Sequence, residues 1–293
     1  MNSMKFFRLL FGFLILAGSM VSEPFTMVSG KEPVVLTETQ KLQQAAAPLL
    51  ENLPEEPVRK LEAIHDRLLE HLSYREGPAQ PGDNTEAALI NGYGICDGYS
   101  RSFQYLCSQA GIPCRLIQGS SIRGIPHSWN MVLLNGEWLY VDTTWDESSN
   151  ERPYHDYFLV SLKEMEREHF PDGSPFLPDG SGPGYYEQLG YSVQADSPTL
   201  KEDFSKAFAK QFQDFPPGKP GAVFLEVKLL GEPYLESRKA FQQHLYSILL
   251  GIHNILENNG SPYTIKTYGA IEYHFNDATR VLTLYPVAVK RNH

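Results

Sequence analysis

HSWNMVLLNGEWLYVD, residues 127–142, decides the reading of this chain. Two runs of strand-forming residues flank Asn135-Gly136, the dipeptide that supplies both positive-φ positions of a two-residue hairpin turn. If Leu134 pairs with Glu137, every partner pair is fixed: Trp129 falls opposite Asp142, and His127 opposite Thr144. Side chains alternate faces along a strand, so His127, Trp129, Asp142 and Thr144 share one face. His127 and Asp142 then form a diagonal pair about 7–8 Å apart at the backbone, within reach of their side chains. A carboxylate that can hold an imidazole on an antiparallel ribbon is half of an acid/base site.

Upstream, Asn91-Gly92-Tyr93-Gly94 breaks the chain. From Cys96, apolar residues Tyr99, Phe103, Leu106, Cys107 and Ala110 recur at helical spacing until Gly111, a natural helix stop. Cys96 is therefore expected in the first turn of a helix, where free N–H groups and the helix dipole favour a thiolate. Gly94 and Gly98 flank it, where a substrate carbonyl would need close backbone approach. A dinucleotide-binding loop is rejected, because Glu86–Ile90 is a poor preceding strand and Asp97 would crowd a phosphate. Cys107 and Cys114 read as small buried hydrophobes. Three cysteines without a C-x-x-C pair make neither a disulfide framework nor a structural zinc site, and no acidic loop of alternating oxygen ligands suggests calcium. No cofactor and no metal are expected.

The runs Gly94-Ile-Cys96-Asp-Gly98-Tyr-Ser100, Gly111-Ile-Pro-Cys114, His127-Ser-Trp-Asn130, Gly136-Glu-Trp138 and Val141-Asp-Thr-Thr-Trp145-Asp146 resemble the core of bacterial transglutaminase-like proteins. Tyr157-Phe158-Leu159 and Ser161–Met165 continue the likeness, which spans about residues 56–170. It implies an α+β fold of the papain/transglutaminase kind, with the nucleophile's helix packed on an antiparallel sheet. It also implies a catalytic triad: Cys96 as nucleophile, His127 as acid/base, Asp142 orienting the histidine. Tyr93, Gly94, Trp129 and Trp145 are candidates for the surrounding or substrate-binding positions.

Outside this core, residues 1–22 read as a signal peptide: Lys5 and Arg8, an apolar run from Leu9 to Leu16, then Ala17-Gly18-Ser19. The run is too short to cross a bilayer, and Ser19 stands where lipidation needs a cysteine. Export to the cell surface or beyond is expected. The whole chain of 293 residues has a formal charge of −10, and the leader removes only basic residues, which disfavours nucleic acid as a partner.

Residues 23–170 are expected to form the catalytic domain, with helices near 37–53 and 55–72. A Pro/Gly-rich linker or lid follows over 171–199, and a small α/β unit over 200–293. That unit has a strand at 222–230, a helix at 234–258 and a hairpin at 263–287 turning near Asn276. A chain ending near Ala195 is expected to fold alone. The functional expectation is attack on an amide through a thioester at Cys96, with hydrolysis preferred to transfer onto an amine. Its substrate would be a peptide, a protein or a cell-wall amide. The alternative is a binding or cell-surface scaffold in which the triad is catalytically silent.

Overall fold

The first helices form where amphipathic stripes and caps coincide. In the computed structural model, which describes residues 36–77, 80–147, 152–173 and 176–291, α1 is Glu38–Leu50 behind a capping box of Thr37 and Gln40. The signal-peptide expectation lies outside the described residues. Helix α2, Pro57–His71, starts with proline in its first turn under the Glu56 carboxylate, and buries Val58, Leu61, Ile64, Leu68 and Leu69.

A parallel pair, β1 (Ser73–Tyr74) and β2 (Tyr93–Gly94), encloses the short helix α3 (Ala88–Asn91) and leads into α4, Cys96–Gln109. Helix α4 buries Tyr99, Phe103, Leu106 and Cys107. Such side chains contribute about 1.5–3 kcal/mol each on leaving water.

The sheet beneath α4 has five antiparallel strands in the order β6-β5-β4-β3-β7. These are β3 (Cys114–Ser121), β4 (Pro126–Leu134), β5 (Glu137–Val141), β6 (Phe158–Val160) and, beyond the one-turn helix α5 (Leu162–Met165), β7 (His169–Pro171). The β4–β5 register has Leu134 opposite Glu137 and Asn130 opposite Val141, the frame set by the turn. Asn135 and Gly136 take φ of 51° and 87° there. Pairing stops at Val141. Asp142 leaves the strand and gives its N–H to the Tyr157 carbonyl at 3.0 Å. One face of the sheet meets the helices through Val132, Leu134, Leu139, Val141 and Phe158. The other covers a smaller core of Ile117, Trp129, Met131, Tyr140 and Tyr157.

The C-terminal part comprises α6 (Tyr185–Leu189), β8 (Ser192–Gln194), α7 (Leu200–Asp214), β9 (Gly221–Ala222), β10 (Leu225–Leu230) and α8 (Tyr234–Asn258). It ends with β11 (Tyr263–Ile265), β12 (Glu272–Asn276), β13 (Val281–Tyr285) and β14 (Val287–Lys290). The strands make a β12-β13-β10-β8 sheet and a β11-β14-β9 sheet. A second core lies between them and the helices α7 and α8, around Phe204, Phe208, Phe241, Ile248 and Ile252.

Three expectations change here. The single strand 222–230 is two, β9 and β10, belonging to different sheets. The hairpin turning near Asn276 is β12–β13, whereas β11 and β14 pair with each other instead. Residues 171–199 are not a mere linker: α6 buries Tyr185 and Tyr186 in the first core, Tyr191 joins them, and β8 enters the C-terminal sheet. Large aromatics outweigh the local Pro/Gly turn chemistry. Ser174 and Pro175 of that stretch lie outside the described residues.

Residues 37–293 form one compact unit. A buried run of alternating charge stitches its parts together. His65 meets Asp146 through Nε2 (3.2 Å) and Asp66 through Nδ1 (2.9 Å). His155 meets the same Asp66 oxygen through Nε2 (2.9 Å) and Glu226 of β10 through Nδ1 (3.0 Å). Each imidazole faces a carboxylate on both nitrogens, so both carry a proton on each. Burial alone would lower both histidines, but the flanking carboxylates hold them above the usual histidine range. Among the described residues no helix is long and apolar enough to cross a membrane.

Candidate active site

Helix α4 begins without a side-chain cap: its N-cap is Ile95, which has no oxygen to offer the first turn. The free N–H groups of that turn surround Cys96, which is partly exposed. The helix is pinned to β4 by two polar contacts. Ser100 Oγ shares its hydrogen between the Cys96 carbonyl at 2.9 Å and the Ser128 carbonyl at 2.8 Å, and Asn130 Nδ2 donates to the Ser100 carbonyl at 3.0 Å. These fix the helix start against the strand that carries His127.

The glycines beside the thiol have a different task from the one expected. A Cβ on Gly98 would stand 2.1 Å from the Asp83 carbonyl oxygen, and one on Gly94 would stand 3.0 Å from it. The close approach is that of the chain's own 80–83 loop, which also accepts the Ile95 N–H at 2.9 Å. It is not that of a substrate.

His127 Nε2 donates to Asp142 Oδ2 at 2.6 Å, although the Trp129–Asp142 and His127–Thr144 pairs expected from the turn are not formed, and the Cys96 thiol is influenced by the same ring. Since Nε2 is committed to Asp142, Nδ1 is the nitrogen left for the thiol. Asp142 is fully buried, and its Oδ1 accepts the N–H groups of Thr144 (2.9 Å) and Trp145 (3.3 Å). Burial would lower the basicity of His127, but the Asp142 charge and hydrogen bond outweigh it, and its pKa is pushed up to about 10. Burial would likewise raise the Cys96 thiol, yet His127, with a smaller contribution from Ser128, holds it below the usual range. Asp142 also resists burial, and its two imidazole neighbours hold it well below the usual carboxylate range. All three shifts favour a thiolate–imidazolium pair near neutral pH.

His169 is the residue that sequence reasoning missed. Its Nε2 donates to the same Asp142 oxygen at 2.8 Å from β7, on the far edge of the sheet. Trp145 lies tilted at 5.4 Å from His127 and 4.4 Å from His169, and buried Trp129 lies 6.1 and 5.1 Å from the same two rings. These indoles wall the Asp142 pair off from water. Tyr93, the remaining candidate, is exposed, and its ring lies 3.7 Å under the Arg75 guanidinium, outside the cleft lining. Asp146 is no surface carboxylate: fully buried, it accepts the Tyr157 N–H at 2.8 Å and the His65 contact, and burial pushes it up to about 6.

Among the described residues, two side-chain groups converge closely enough to hold a cation, His127–Asp142–His169 and His65–Asp66–His155. In both, the imidazole nitrogens that would serve as ligands already donate to a carboxylate. Cys107 and Cys114 are free thiols in contact with one another, and burial pushes Cys107 well above the usual thiol range.

The thiol opens into a cleft of about 900 Å³. Tyr74, Ile122, Ile125 and Trp145 make its apolar side; Glu76, Glu147, Glu168 and Asp277 line it, against Arg123 and the His127 imidazolium. Its far wall is the β12–β13 end, His274–Ala278.

Residues 44–143 match the model of the Transglutaminase-like superfamily. The human kyphoscoliosis peptidase is 29% identical over 142 residues, covering 39% of this chain and 21% of that protein. The mouse protein of that name is 32% identical over 96 residues, covering 26% and 14%. The chain thus spans about a fifth or less of these curated relatives. A solved structure described as a TGase matches with a TM-score of 0.35 at 17% identity, covering 57% of this chain and 43% of that one.

Proposed function

We propose, taking the transglutaminase-like core of residues 44–143 as premise, that this chain is an exported cysteine enzyme that opens amide bonds through a thioester at Cys96. The observation that supports it best is the line Cys96–His127–Asp142 at an uncapped helix start. In this reading the Cys96 thiolate attacks the amide carbon, and the developing oxyanion takes hydrogen bonds from the free N–H groups of the first helical turn. His127 gives its Nδ1 proton to the leaving nitrogen as the C–N bond breaks, forming the thioester and a free amine. It then takes a proton from water, which attacks the thioester; the acid leaves and the thiol is restored. Asp142 keeps Nε2–H in place, so that Nδ1 remains the working nitrogen.

Hydrolysis is the preferred outcome, because the cleft is broad and open to water. The peptidase name of the curated relatives agrees with it. A second reading, transfer to a primary amine, is favoured by four carboxylates against Arg123 and the His127 imidazolium along the cleft, a field that still concentrates cations. The substrate is a peptide, protein or cell-wall amide rather than nucleic acid, given the overall charge of −10. Export rests on the short apolar leader; a secreted protein whose N-terminal sequence begins within 20–23 is the expected result, and retention of the leader in a cytoplasmic product would refute it.

The deciding experiment incubates the protein with an amide-rich peptide library, with and without added alkylamine, and reads products by mass spectrometry. Cleaved or deamidated peptides that need Cys96 mean hydrolysis, and amine adducts mean transfer. No product, or products unchanged in Cys96→Ala, would overturn the enzyme reading in favour of a silent scaffold.

A further inference from the structure

Asp142 holds two imidazoles on one oxygen, and the reaction proposed above uses only one of them. Its Oδ2 accepts from His127 Nε2 at 2.6 Å and from His169 Nε2 at 2.8 Å, while Oδ1 takes the Thr144 and Trp145 N–H groups. His169 comes from β7, where it pairs with Ser121, and β3 lies between it and the strand of His127. Its ring is fully buried, with Trp145 at 4.4 Å, Trp129 at 5.1 Å and Tyr157 at 5.3 Å.

A phenylalanine ring would suit such surroundings and avoid a cost that the structure carries. His169 Nδ1 is closed off from solvent and has no hydrogen-bond partner among the described residues. Leaving a buried polar atom unmade is unfavourable, and a native structure that keeps one calls for an explanation. What an imidazole offers here and an apolar ring does not is the Nε2–H on Asp142. The bare Nδ1 also fixes the charge of the ring. An ionised carboxylate only accepts, so Nε2 carries a proton; a second proton on Nδ1 would make a buried cation whose donor nothing receives. His169 is therefore neutral, with its one proton on Nε2.

A neutral donor on a shared oxygen reaches His127 through charge. The Asp142 carboxylate is what holds the His127 ring protonated, against the effect of burial. A ring that grips its proton too firmly is a poor acid toward a leaving nitrogen near neutral pH. The His169 N–H takes up part of the charge on Oδ2, which loosens that grip, and it ties the carboxylate to a second strand.

We propose that His169 is a positioning residue of the site: its neutral imidazole anchors Asp142 and tempers the carboxylate's hold on His127, so that the Nδ1 proton passes to the leaving amine. The inference rests on the Cys96–His127–Asp142 reading and adds a fourth member to it.

The test is the pH dependence of Cys96 alkylation by iodoacetamide, which needs no amide substrate, in the full chain with circular dichroism as the folding check. His169→Phe keeps a ring and removes the donor. The carboxylate charge then falls on His127 alone, the thiolate–imidazolium pair forms more readily, and the rise of labelling should move to lower pH by about 0.5–1 unit. A hydrogen bond to a charged group is worth more than one such unit, and only part of it passes to His127. His169→Gln, whose amide nitrogen stands in for Nε2, should restore the wild-type profile. The other charged groups near the thiol, Asp97 on α4 and Glu76, Glu147, Glu168, Asp277 and Arg123 along the cleft, are the same in each protein, so the shift is not theirs. Nitrogen NMR of the histidine-labelled wild type, with His169 assigned by its loss in His169→Gln, needs no folded His169→Phe and should show a ring protonated on Nε2 alone at neutral pH. An imidazolium at His169, an unchanged or alkaline-shifted profile in folded His169→Phe, or a His169→Gln profile that follows His169→Phe would each overturn the proposal. Asp142→Asn, run beside them, separates the two possible failures. A wild-type profile there removes the triad itself, whereas an alkaline shift there without a shift in His169→Phe removes only the role given to His169.

Discussion

Replacing Asp142 by asparagine keeps the shape of the side chain and every one of its hydrogen bonds, which makes it a sharp test of the triad. The Oδ1 atom goes on accepting the Thr144 and Trp145 N–H groups. In place of Oδ2 an amide nitrogen now presents two N–H donors to the Nε2 atoms of His127 and His169, at the positions now spanned by 2.6 and 2.8 Å. Both rings can satisfy it only by moving their proton to Nδ1. For His127 that is the nitrogen left for Cys96, so the imidazole that should take the thiol proton already carries one there. The raised pKa of about 10 loses its main cause, the Asp142 charge, and burial then favours neutral imidazole.

The expected loss in Cys96 alkylation rate at pH 7 is roughly 10- to 1000-fold, or about 1.4–4 kcal/mol, the usual worth of a positioned proton partner. The assay is the pH dependence of iodoacetamide labelling at Cys96, mapped by peptide mass spectrometry. Circular dichroism serves as the folding check. In the wild type, labelling should rise through a pKa below the usual thiol value, and in Asp142→Asn that rise should move to alkaline pH. Asp97→Asn provides a control of opposite sign: the Asp97 charge raises the Cys96 thiol, so its removal should shift labelling slightly toward acid. A wild-type profile in folded Asp142→Asn would refute the orienting role of the carboxylate.

Cys96 should label much faster than Cys107 at neutral pH, since burial holds Cys107 well above the usual thiol range; comparable labelling of the two would remove Cys96 as nucleophile. Glu226→Gln leaves His155 with a carboxylate on one nitrogen only and should cost about 3–5 kcal/mol in urea unfolding, the cost of breaking a buried pair. A chain cut near Ala195 loses the same partner and should aggregate, against the expectation from sequence, and a soluble, thiol-reactive fragment would show the charge run to be dispensable. His65 and His155 are raised in the folded state above their unfolded value of 6.5, so their contribution is fully present below pH 6.5 and is lost as pH rises through their folded values. The urea midpoint should therefore fall above pH 6.5, by up to about 1.4 kcal/mol per unit for each histidine, and a midpoint that rises from pH 6.5 to 8 would contradict the doubly protonated rings. Gly98→Ala drives a methyl into the Asp83 carbonyl and should lower stability by about 1–3 kcal/mol in a thermal melt; an unchanged midpoint would mean the 80–83 loop yields freely.

What could be read from sequence was local or fixed by a turn. Asn135-Gly136 sets a register with one solution, and through it the side of the ribbon on which Asp142 stands. The α4 stripe announced both the helix and its start at Cys96. His169 was beyond such reasoning, because three residues of β7 are too short to show a period and their place beside β3 depends on the path of the whole sheet. Helix α7 carries a local signal, Phe204, Phe208 and Phe212 every four residues, but its start at Thr199 makes no side-chain cap to mark where the Pro/Gly-rich stretch gives way to helix. The joining of the two parts was illegible for a different reason. His155 and Glu226 lie 71 positions apart, and neither residue type predicts burial.

The far wall of the cleft comes from a part of the chain remote in sequence from the thiol it faces. Cys96, His127, Asp142 and His169 all lie at or before residue 169, whereas His274–Ala278, which line the other side of the cleft, follow much later in the sequence. A cleft built from segments so far apart in sequence takes shape only through long-range packing, so any loosening of the His155–Glu226 junction reaches its far wall as well.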